Sequence, residues 1–442
     1  MDSSKGKSAR VLVFTGLLLM SVNVLAQRAP LAASGNIIQQ DTALYRFFAA
    51  LDKVDSNVVR ILHLGDSHIQ AGFFPVATGG ALQRQFGNAG RGWVFPYNVA
   101  GTNGPDDYRW NSTVRWQTDR VIDRHKDQEP GPGGIVIYSQ SAAPTLAFDG
   151  RQHNAGGMND EVKEAQLFFD AGTPDVSVQS PGAAITVTPA PYEGSPTLSM
   201  ATLRFPQTMT SFQTRWEDNG SAIFRFYGAI LRNGQNGILY SAIGINGAMY
   251  QHYVETGNTI AAQMQVLQPQ LVIISLGTNE AYSGQSAAAI REQVDAAVSL
   301  IREQLPGVSI LLTTPPDCMR TAKRPYRKKV GKKYRTYYRI KYYPNPAINT
   351  VTQLLIDYCR QHGLACWNFN AVNKAMKSSF AGAWAPDHIH FNARGYQLQG
   401  RLLYEALRRS YAMYLDRPVT AAADTSSNQA PCKSRQSLYC KF

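Results

Sequence analysis

Apolar residues near both ends of the chain fall into alternating helix-like and strand-like segments. Near the amino terminus, "TALYRFFAALDKV" (42–54) has helical spacing and "VVRILHLG" (58–65) is an apolar run. In the second half, "LVIISLG" (271–277) and "VSILLTTPP" (308–316) are equally apolar, and an amphipathic segment (288–305) separates them. Apolar strands that alternate with helices are typical of a parallel sheet covered on both faces. The pattern therefore predicts an α/β fold, with further helices at 79–87, 349–363 and 394–415.

The middle of the chain has a different pattern. Its apolar runs are short, Gly, Pro, Asn and Asp separate them, and helical spacing is nearly absent. Such runs predict β-strands, here at 133–140, 144–150, 164–172, 183–192, 197–206 and 221–231. We interpret this region as a β-sandwich inserted into the α/β domain. A carbohydrate-binding-like module that holds a polymer and an inert buttress of the fold are both compatible with the pattern.

These patterns give a predicted domain organisation. The α/β domain comprises residues 37–100 and 237–416, and the inserted β-sandwich comprises residues 101–236. The segment 417–442 is rich in Ala, Ser and Thr, which favours a disordered tail.

The first 26 residues have the features of an export signal. Lys5, Lys7 and Arg10 form a basic region, residues 11–24 are apolar, and small or medium residues follow at 24–26. An uncleaved anchor is the alternative. No run approaches the roughly 20 apolar residues that span a bilayer. We therefore expect an exported protein, periplasmic or secreted, with no transmembrane segment after removal of the signal.

In an exported protein, the five cysteines suggest one or two disulfides with one thiol left over. Cys432 and Cys440 lie close together in the predicted tail and could pair, whereas Cys318, Cys359 and Cys366 lie near the ends of predicted core elements. The sequence does not choose among the possible disulfides. It also contains no Cys or His cluster with the spacing of a structural zinc site.

Most of the net charge of +13 comes from one segment. Eleven of the 44 basic residues lie between Arg320 and Lys341 with no acidic residue among them, which leaves 33 basic against 31 acidic residues elsewhere. The sequence "KKVGKK" (328–333) predicts a hairpin tip. Basic segments with interleaved tyrosines bind nucleic acid or other polyanions, and export argues against nucleic acid. We predict an anionic glycan as the ligand, with a solvated loop as the alternative, and assign its binding to Lys328, Lys329, Lys332 and Lys333.

Polar residues that could perform acyl transfer follow several apolar runs. Ser67 follows the first predicted strand, and Gly247 and Asn279 follow later ones, where open α/β sheets bind their ligands. Asp387 and His390 stand three residues apart before the last helix, a spacing that lets the carboxylate accept a hydrogen bond from the imidazole. A nucleophile, a base, an orienting group and oxyanion donors are the parts that a serine hydrolase needs.

The motifs "GDSH", "GINGA", "GTNE" and "DHIH", in this order, resemble the four blocks of the SGNH, or GDSL-type, hydrolases. The resemblance is greatest to envelope-associated bacterial peptidoglycan O-acetylesterases, which carry a β-rich insert between the first two blocks. It implies a flavodoxin-like three-layer parallel sheet with an inserted β-sandwich domain. It covers about two thirds of the expected mature chain.

The resemblance also implies roles for individual residues. Ser67 would be the nucleophile, His390 the general base and Asp387 its orienting partner, while Ser67, Gly247 and Asn279 would form the oxyanion hole. The chain departs from the family pattern in two places: Glu280 stands where many relatives have Asp, and His68 where the name-giving motif has Leu. We assign Glu280 no role.

The expected function is an exported serine esterase that removes O-acetyl groups from a carbohydrate polymer, with peptidoglycan favoured. The alternatives are an acetyl esterase acting on xylan-type plant polysaccharide, an O-acetyltransferase, and a non-catalytic glycan-binding protein. The reaction requires no cofactor. A metal site made of Asp387, His388 and His390 is a competing interpretation, although no further motif completes it. The sequence does not determine the oligomeric state.

Overall fold

The computed structural model describes residues 35–151, 158, 161–173, 176–217, 222–255 and 259–417. The expected export signal (1–26) lies outside the described residues, as does the expected tail beyond Arg417 with its possible Cys432–Cys440 pair. Among the described residues, no helix is both long and apolar enough to cross a membrane.

The centre of the molecule is a seven-stranded sheet. Six of its strands run parallel, and the short Ile38–Gln39 edge strand is antiparallel to its neighbour. In spatial order the strands are Ile38–Gln39, Ala365–Trp367, Ser309–Thr313, Leu271–Ser275, Val58–Gly65, Gly237–Gly244 and Asn88–Gly90. The apolar runs of the sequence thus form the buried middle of the sheet, and the predicted α/β class is confirmed.

Helices cover both faces of this sheet. Because alternate residues of a strand point to opposite faces, Leu62 and Leu64 belong to one hydrophobic cluster and Ile61 belongs to the other. The first cluster includes residues of helices Thr259–Leu267, Ala287–Gln304 and Ala347–His362. The second includes residues of helices Tyr45–Leu51, Phe73–Phe86, Phe369–Ala375 and Ala393–Asp416. The result is three layers, as the resemblance implied.

The remaining helical segments are short, and one helix begins earlier than its pattern predicted. The short segments are the 3-10 turn Asp41–Leu44 and the helices Ser67–Gln70, Tyr250–Glu255 and Thr278–Ser283. The sequence predicted a helix at 79–87, whereas the helix runs from Phe73 to Phe86. Pro75 lies in its first turn, where a helix tolerates proline because the N–H groups there have no intrahelical partner.

The middle of the chain forms two antiparallel sheets. The larger has seven strands: Gly92–Val94, Gln117–Arg120, Ile135–Ser139, Val162–Asp170, Ala184–Pro189, Leu198–Met209 and Phe224–Arg232. The smaller has four: Tyr108–Asn111, Thr145–Gly150, Ser177–Gln179 and Ser211–Glu217. Trp110 of the smaller sheet contacts the ring of Phe226 in the larger one at a centroid distance of 5.8 Å. The predicted β-rich insert is therefore present, and its two sheets pack face to face.

The insert shares its hydrophobic core with the α/β sheet. Leu62 and Ile274 of the central sheet belong to the same buried cluster as Trp110 and Phe226 of the insert. The Gly92–Val94 strand, which precedes the expected boundary at residue 101, pairs with strand Phe224–Arg232 of the insert. The proposed boundaries at residues 100 and 236 therefore divide the sequence, but the two parts share one hydrophobic core. Their division into separate domains remains a prediction.

The basic segment forms a long two-stranded hairpin, Met319–Val330 and Lys333–Pro344. Its tip lies at Gly331 and Lys332, as predicted, and Gly331 adopts a left-handed φ of 64°. The two strands pair only with each other, and nearly all their residues are exposed. We refer to residues 319–344 as the hairpin.

The three cysteines of the described chain are free thiols. Cys318, Cys359 and Cys366 are all buried. The structure therefore contains no disulfide between any two of these three cysteines.

Candidate active site

The carboxyl ends of three neighbouring strands lie in line. The parallel register places Gly65 opposite Gly244 on one side and opposite Ser275 on the other. Each strand is followed within two to four residues by a residue that the sequence singled out: Ser67, Gly247 and Asn279. The sheet therefore brings three segments that lie far apart in the sequence to one edge.

A sharp turn after the first strand presents Ser67. Ser67 begins the one-turn helix Ser67–Gln70, and the Asp66 carboxyl group caps this turn by accepting the His68 backbone N–H at 2.9 Å. The turn and the neighbouring strand both pack closely on Gly65, since a Cβ there would clash with the Ile69 side chain of the turn and would lie only 2.7 Å from the Ser275 carbonyl oxygen. Glycine at this position therefore permits the close approach that brings the serine to the edge of the sheet.

Two hydrogen bonds connect Ser67 to a carboxylate. Ser67 Oγ lies 2.8 Å from His390 Nε2, and His390 Nδ1 lies 2.7 Å from Asp387 Oδ2. The other Asp387 oxygen accepts the backbone N–H groups of Ile389 at 2.9 Å and of His390 at 3.0 Å. The structure thus brings together all three side chains predicted to perform the chemistry.

The surroundings of Asp387 favour its ionised form. Partial burial of the carboxyl acts to raise its pKa, but the hydrogen bonds from the His390 ring and from the two backbone N–H groups outweigh burial and lower the pKa below its ordinary value. A carboxylate that keeps its charge can hold the imidazole with Nδ1 protonated, which leaves Nε2 free to accept the proton of Ser67.

Residues 384–391, which we call the His390 loop, carry this pair. The loop is closed by an antiparallel bridge between Trp384 and Phe391 and by a hydrogen bond from the Ala385 N–H to the His390 carbonyl at 2.9 Å. Inside it, His388 adopts a left-handed φ of 55°, which is uncommon for a residue other than glycine. The loop ends at Asn392, whose side chain caps the final helix.

His68 is a second imidazole in the site, to which the sequence analysis gave no role. Its ring is buried 5.1 Å from the His390 ring, centroid to centroid, and its Nδ1 lies 2.8 Å from the Tyr396 hydroxyl. Burial, followed by the neighbouring charge of His390, lowers the His68 pKa to about 3. His68 is therefore neutral and packs beside His390 without competing for its proton. In the sequence, only the position of His68 directly after Ser67 indicated that it belongs to the site.

The side-chain amide of Asn279 reaches the turn that carries Ser67. Its Nδ2 donates to Asp66 Oδ2 at 3.2 Å and to the Ala248 carbonyl at 3.0 Å. Gly247 is exposed beside this contact with a left-handed φ of 82°. Both residues lie at the expected edge of the sheet, and their assignment to an oxyanion hole remains a prediction.

Two carboxyl groups are buried beneath the site. Burial raises the Asp66 pKa to about 8, and the charge of Glu280 adds to that rise. Burial also raises the Glu280 pKa to about 7, although Glu280 accepts the Tyr250 backbone N–H at 2.8 Å. Glu280 therefore joins helix Thr278–Ser283 to helix Tyr250–Glu255, a structural contact that the sequence did not reveal.

The four lysines assigned to polymer binding lie at the end of the hairpin opposite to its base, where Met319 contacts the His390 loop. They are exposed at the tip of the hairpin, and the ten steps along the strand from Met319 to Lys329 span about 33 Å at the usual rise of a strand. The structure therefore does not bring Lys328, Lys329, Lys332 and Lys333 together with the serine.

Donor groups for a metal ion do not converge in the described part of the chain. No group of three or more His, Cys, Asp or Glu side chains there has the arrangement of a metal site. In the competing interpretation, His388 would share a metal with Asp387 and His390. The His388 ring instead packs on Tyr342, with the centroids 4.2 Å apart, while Asp387 bonds to His390.

Comparison with known proteins places part of the chain in a hydrolase family. Residues 213–398 match the GDSL-like lipase/acylhydrolase family. This range includes four of the five residues predicted to perform the chemistry, Gly247, Asn279, Asp387 and His390, whereas Ser67 lies outside it and joins the others only through the fold. Curated protein sequences gave no significant match.

Similar solved structures include a peptidoglycan O-acetylesterase, with a TM-score of 0.65 and 22% identity over 84% of this chain and 96% of that chain. A lipase/acylhydrolase from Enterococcus faecalis matches with 18% identity over 40% of this chain and 78% of that chain, at a TM-score of 0.29. A protein from Bacillus subtilis matches with 12% identity over 72% and 96% of the two chains, at a TM-score of 0.31. At 22% identity, the first of these likenesses is evidence for the fold.

Proposed function

We propose that this chain, an esterase with a GDSL-type acylhydrolase domain, removes O-acetyl groups from peptidoglycan with Ser67 as its nucleophile. The observation that carries this proposal is the chain of hydrogen bonds from Ser67 through His390 to Asp387, with distances of 2.8 Å and 2.7 Å. These distances allow proton transfer from the hydroxyl to the imidazole, and they leave the carboxylate in place to stabilise the resulting imidazolium.

In the first half of the reaction, His390 Nε2 takes the Ser67 proton while Oγ attacks the acetyl carbonyl carbon. The carbonyl oxygen becomes an oxyanion, for which the Ser67 and Gly247 N–H groups and the Asn279 amide are the proposed donors. Collapse of the tetrahedral species breaks the ester C–O bond, and His390 returns the proton to the departing sugar oxygen. An acetyl-serine and a free sugar hydroxyl result.

In the second half, a water molecule takes the place of the sugar hydroxyl. His390 removes a proton from it as it attacks the acetyl-serine, a second oxyanion forms at the same donors, and its collapse releases acetate and regenerates Ser67. These residues require no cofactor. The neutral, buried ring of His68 excludes water from one side of His390.

Three observations support a glycan of the bacterial envelope as the substrate. A solved structure with the same overall fold is that of a peptidoglycan O-acetylesterase, the first 26 residues have the composition of an export signal, and the hairpin offers cations to an anionic polymer. Action on peptidoglycan requires a periplasmic or secreted protein. Xylan-type polysaccharide and acetyl transfer to a sugar are the alternatives that the experiment must separate.

The test compares acetate release from isolated O-acetylated peptidoglycan and from acetylated xylan. We expect the wild-type protein to release acetate preferentially from peptidoglycan, and Ser67→Ala to reduce the release to background while the circular dichroism spectrum stays unchanged. Ser56→Ala, at an exposed turn, is the matched control and should behave as wild type.

Preferential release from xylan would replace the proposed substrate. Activity of Ser67→Ala above a few per cent of wild type would remove Ser67 from the mechanism. A wild-type protein that moves acetyl groups to an added sugar, in place of releasing acetate, would be a transferase.

A further inference from the structure

The register of the hairpin divides its side chains between two chemically different faces. Alternate residues of a strand point to opposite faces, and residues paired across an antiparallel ladder share a face. One face, the cationic face, carries Arg320, Arg324, Lys328, Lys333, Arg335, Arg339 and Lys341. The opposite face, the tyrosine face, carries Tyr334, Tyr338, Ile340 and Tyr342 together with Lys323, Arg327 and Lys329.

The tyrosines of the cationic face are engaged within the hairpin. Tyr326 and Tyr337 stack on each other with their centroids 5.8 Å apart, and the Arg339 guanidinium lies 5.4 Å above the Tyr326 ring. These contacts stabilise the ribbon and cover part of the aromatic surface.

The tyrosine face is open to solvent. Tyr334 is 63% exposed and Tyr338 is 65% exposed, and neither ring has an aromatic or cationic partner within the described part of the chain. Ile340, between Tyr338 and Tyr342, is 55% exposed. A contiguous row of exposed large side chains is uncommon on a soluble protein and marks a surface that binds a ligand.

The tyrosine face ends at the His390 loop. The Tyr342 ring lies 4.2 Å from the His388 ring, centroid to centroid, and its hydroxyl donates to the Pro386 carbonyl at 2.9 Å. The Met319 N–H, at the base of the same face, donates to the His388 carbonyl at 3.0 Å. A ligand that follows the row of tyrosines toward the base therefore arrives at the loop that carries Asp387 and His390.

We propose that the tyrosine face is a binding strip for the glycan polymer, an inference that rests on the proposed function. Sugar rings would stack on Tyr334, Tyr338 and Tyr342, because the rings offer rigid apolar area at the surface. Lys323, Arg327 and Lys329 would pair with the carboxylates of the polymer.

The dimensions of the strip fit an extended chain. Its tyrosines recur every four residues, about 13 Å apart at the rise of a strand. The row from Tyr334 to Tyr342 therefore covers about 26 Å, which suits several consecutive units of a polymer better than one sugar. The strip adds binding energy remote from the ester, and such energy can position a polymeric substrate without affecting a small ester in the same way.

The two faces also refine the assignment of the lysines. Of the four residues predicted to bind the polymer, Lys329 lies on the tyrosine face, Lys328 and Lys333 lie on the cationic face, and Lys332 lies in the turn. In this arrangement the tyrosines contact the sugar rings, whereas in the sequence they stood out only as residues interleaved with the cations.

A protruding basic and aromatic ribbon could also lie on an anionic membrane surface. The structure favours the glycan, because the tyrosine face leads to the His390 loop, whereas a membrane would need no such connection. Binding to vesicles is therefore included in the test as an opposing outcome.

The experiment measures binding of the full-length Ser67→Ala protein to insoluble O-acetylated peptidoglycan by sedimentation. Tyr334→Ala combined with Tyr338→Ala should weaken binding at least about tenfold, since each aromatic contact is worth on the order of tenfold in affinity. Tyr326→Ala combined with Tyr337→Ala is the matched control. It removes two tyrosines of the same hairpin, one from each strand, on the opposite face, and it should bind within about twofold of the parent protein. Circular dichroism reports whether each variant is folded.

The outcomes separate this inference from the proposed function. Equal binding of the tyrosine-face variant and the parent to peptidoglycan overturns the strip and leaves the proposed substrate intact. If the parent protein binds acetylated xylan and not peptidoglycan, and the tyrosine-face variant loses that binding, the strip is retained and the proposed substrate is overturned. Equal losses in both double variants, or binding to vesicles of phosphatidylglycerol and not to either polymer, overturn the strip.

Discussion

The side-chain amide of Asn279 donates to the buried carboxyl of Asp66, with 3.2 Å between Nδ2 and Oδ2, and the same nitrogen donates to the Ala248 carbonyl at 3.0 Å. Both amide hydrogens are therefore engaged in the free protein. A donor to the oxyanion must be directed at the charge that develops in the transition state. One of these two hydrogen bonds must then be shared or exchanged when the tetrahedral species forms.

Asn279→Ala should lower kcat on an aryl acetate by about 10²–10³, as loss of one oxyanion donor does in other hydrolases. KM for the small ester should change much less, because the contact is made in the transition state. Asn98→Ala, which alters a side-chain amide bonded to Trp110 in the insert, is a control with unchanged kcat. A loss below tenfold would show that the amide stays committed to Asp66 and Ala248.

Replacement of Asp387 by Asn should lower kcat/KM on the aryl acetate less than replacement of His390 by Ala. Asp387 orients the imidazole and stabilises its charge, whereas His390 transfers the proton. Stopped-flow or steady-state assays of both variants at one pH make the comparison. Equal or reversed losses would mean that the roles of the pair are wrongly assigned.

Inhibition by EDTA that zinc reverses would restore the metal interpretation.

The contact between Tyr342 and the His390 loop predicts a graded effect on catalysis. Tyr342→Phe removes the hydrogen bond to Pro386, a contact worth about 0.5–1.5 kcal/mol, and should lower kcat by a few-fold. Tyr342→Ala also removes the ring packed on His388 and should lower kcat further, with KM for the small ester nearly constant. Tyr343→Ala, on the cationic face, is the control. Equal kcat values for Tyr342→Ala and wild type would show that the loop holds its position without the hairpin.

Exchange of Lys328, Lys329, Lys332 and Lys333 for Gln should weaken binding to peptidoglycan and make it less sensitive to salt. Exposed charges act over roughly 8 Å at about 0.15 M salt, so the contribution of the lysines should fall as salt rises. In this variant, the ratio of polymer turnover to aryl acetate turnover should also be lower than in the wild-type protein. The matched control removes the same charge elsewhere by exchanging the exposed residues Lys53, Lys163, Lys374 and Lys377. Equal binding of both variants at low salt would identify the hairpin tip as a solvated loop.

The buried carboxyl of Glu280 predicts a dependence of stability on pH. Its pKa is raised to about 7 in the folded protein, whereas an unfolded chain has an ordinary value of about 4.3. The folded state therefore binds the Glu280 proton more tightly than the unfolded chain does. The contribution of this proton to the free energy of unfolding is fully present below about pH 4 and is lost as the pH rises to about 7. Asp66, with its pKa raised to about 8, acts in the same direction.

Glu280→Gln should consequently reduce the fall in melting temperature between pH 5 and pH 8. The amide can still accept the Tyr250 N–H, and it carries no charge to bury. Glu303→Gln, exposed on helix Ala287–Gln304, is the control and should leave the slope unchanged. Identical pH profiles for wild type and Glu280→Gln would show that Glu280 ionises normally in the folded protein.

The pattern of apolar residues was sufficient to predict the strands at the centre of the α/β sheet, but it did not predict several strands of the insert. Val58–Gly65 and Leu271–Ser275 are buried on both faces and therefore read as apolar runs. Ser211–Glu217 has alternate buried and exposed residues with polar side chains between its aromatic ones, and Tyr108–Asn111 is only four residues long. Such segments become strands because neighbouring strands pair with them, which is a property of the fold.

The sequence by itself determined the order of the four motifs, the α/β class with its β-rich insert, and the concentration of charge in the hairpin, because each depends on residues close together in the chain. The tertiary structure decided which side chains meet. His68 and Tyr396 are 328 residues apart in the chain and share a hydrogen bond, and Asn279 reaches Asp66 across 213 residues. The opposite faces of the hairpin, and the meeting of Tyr342 with His388, likewise follow from strand register and packing. Periodicity reports which side of an element is buried, but the partner on that side is fixed only when the whole chain packs.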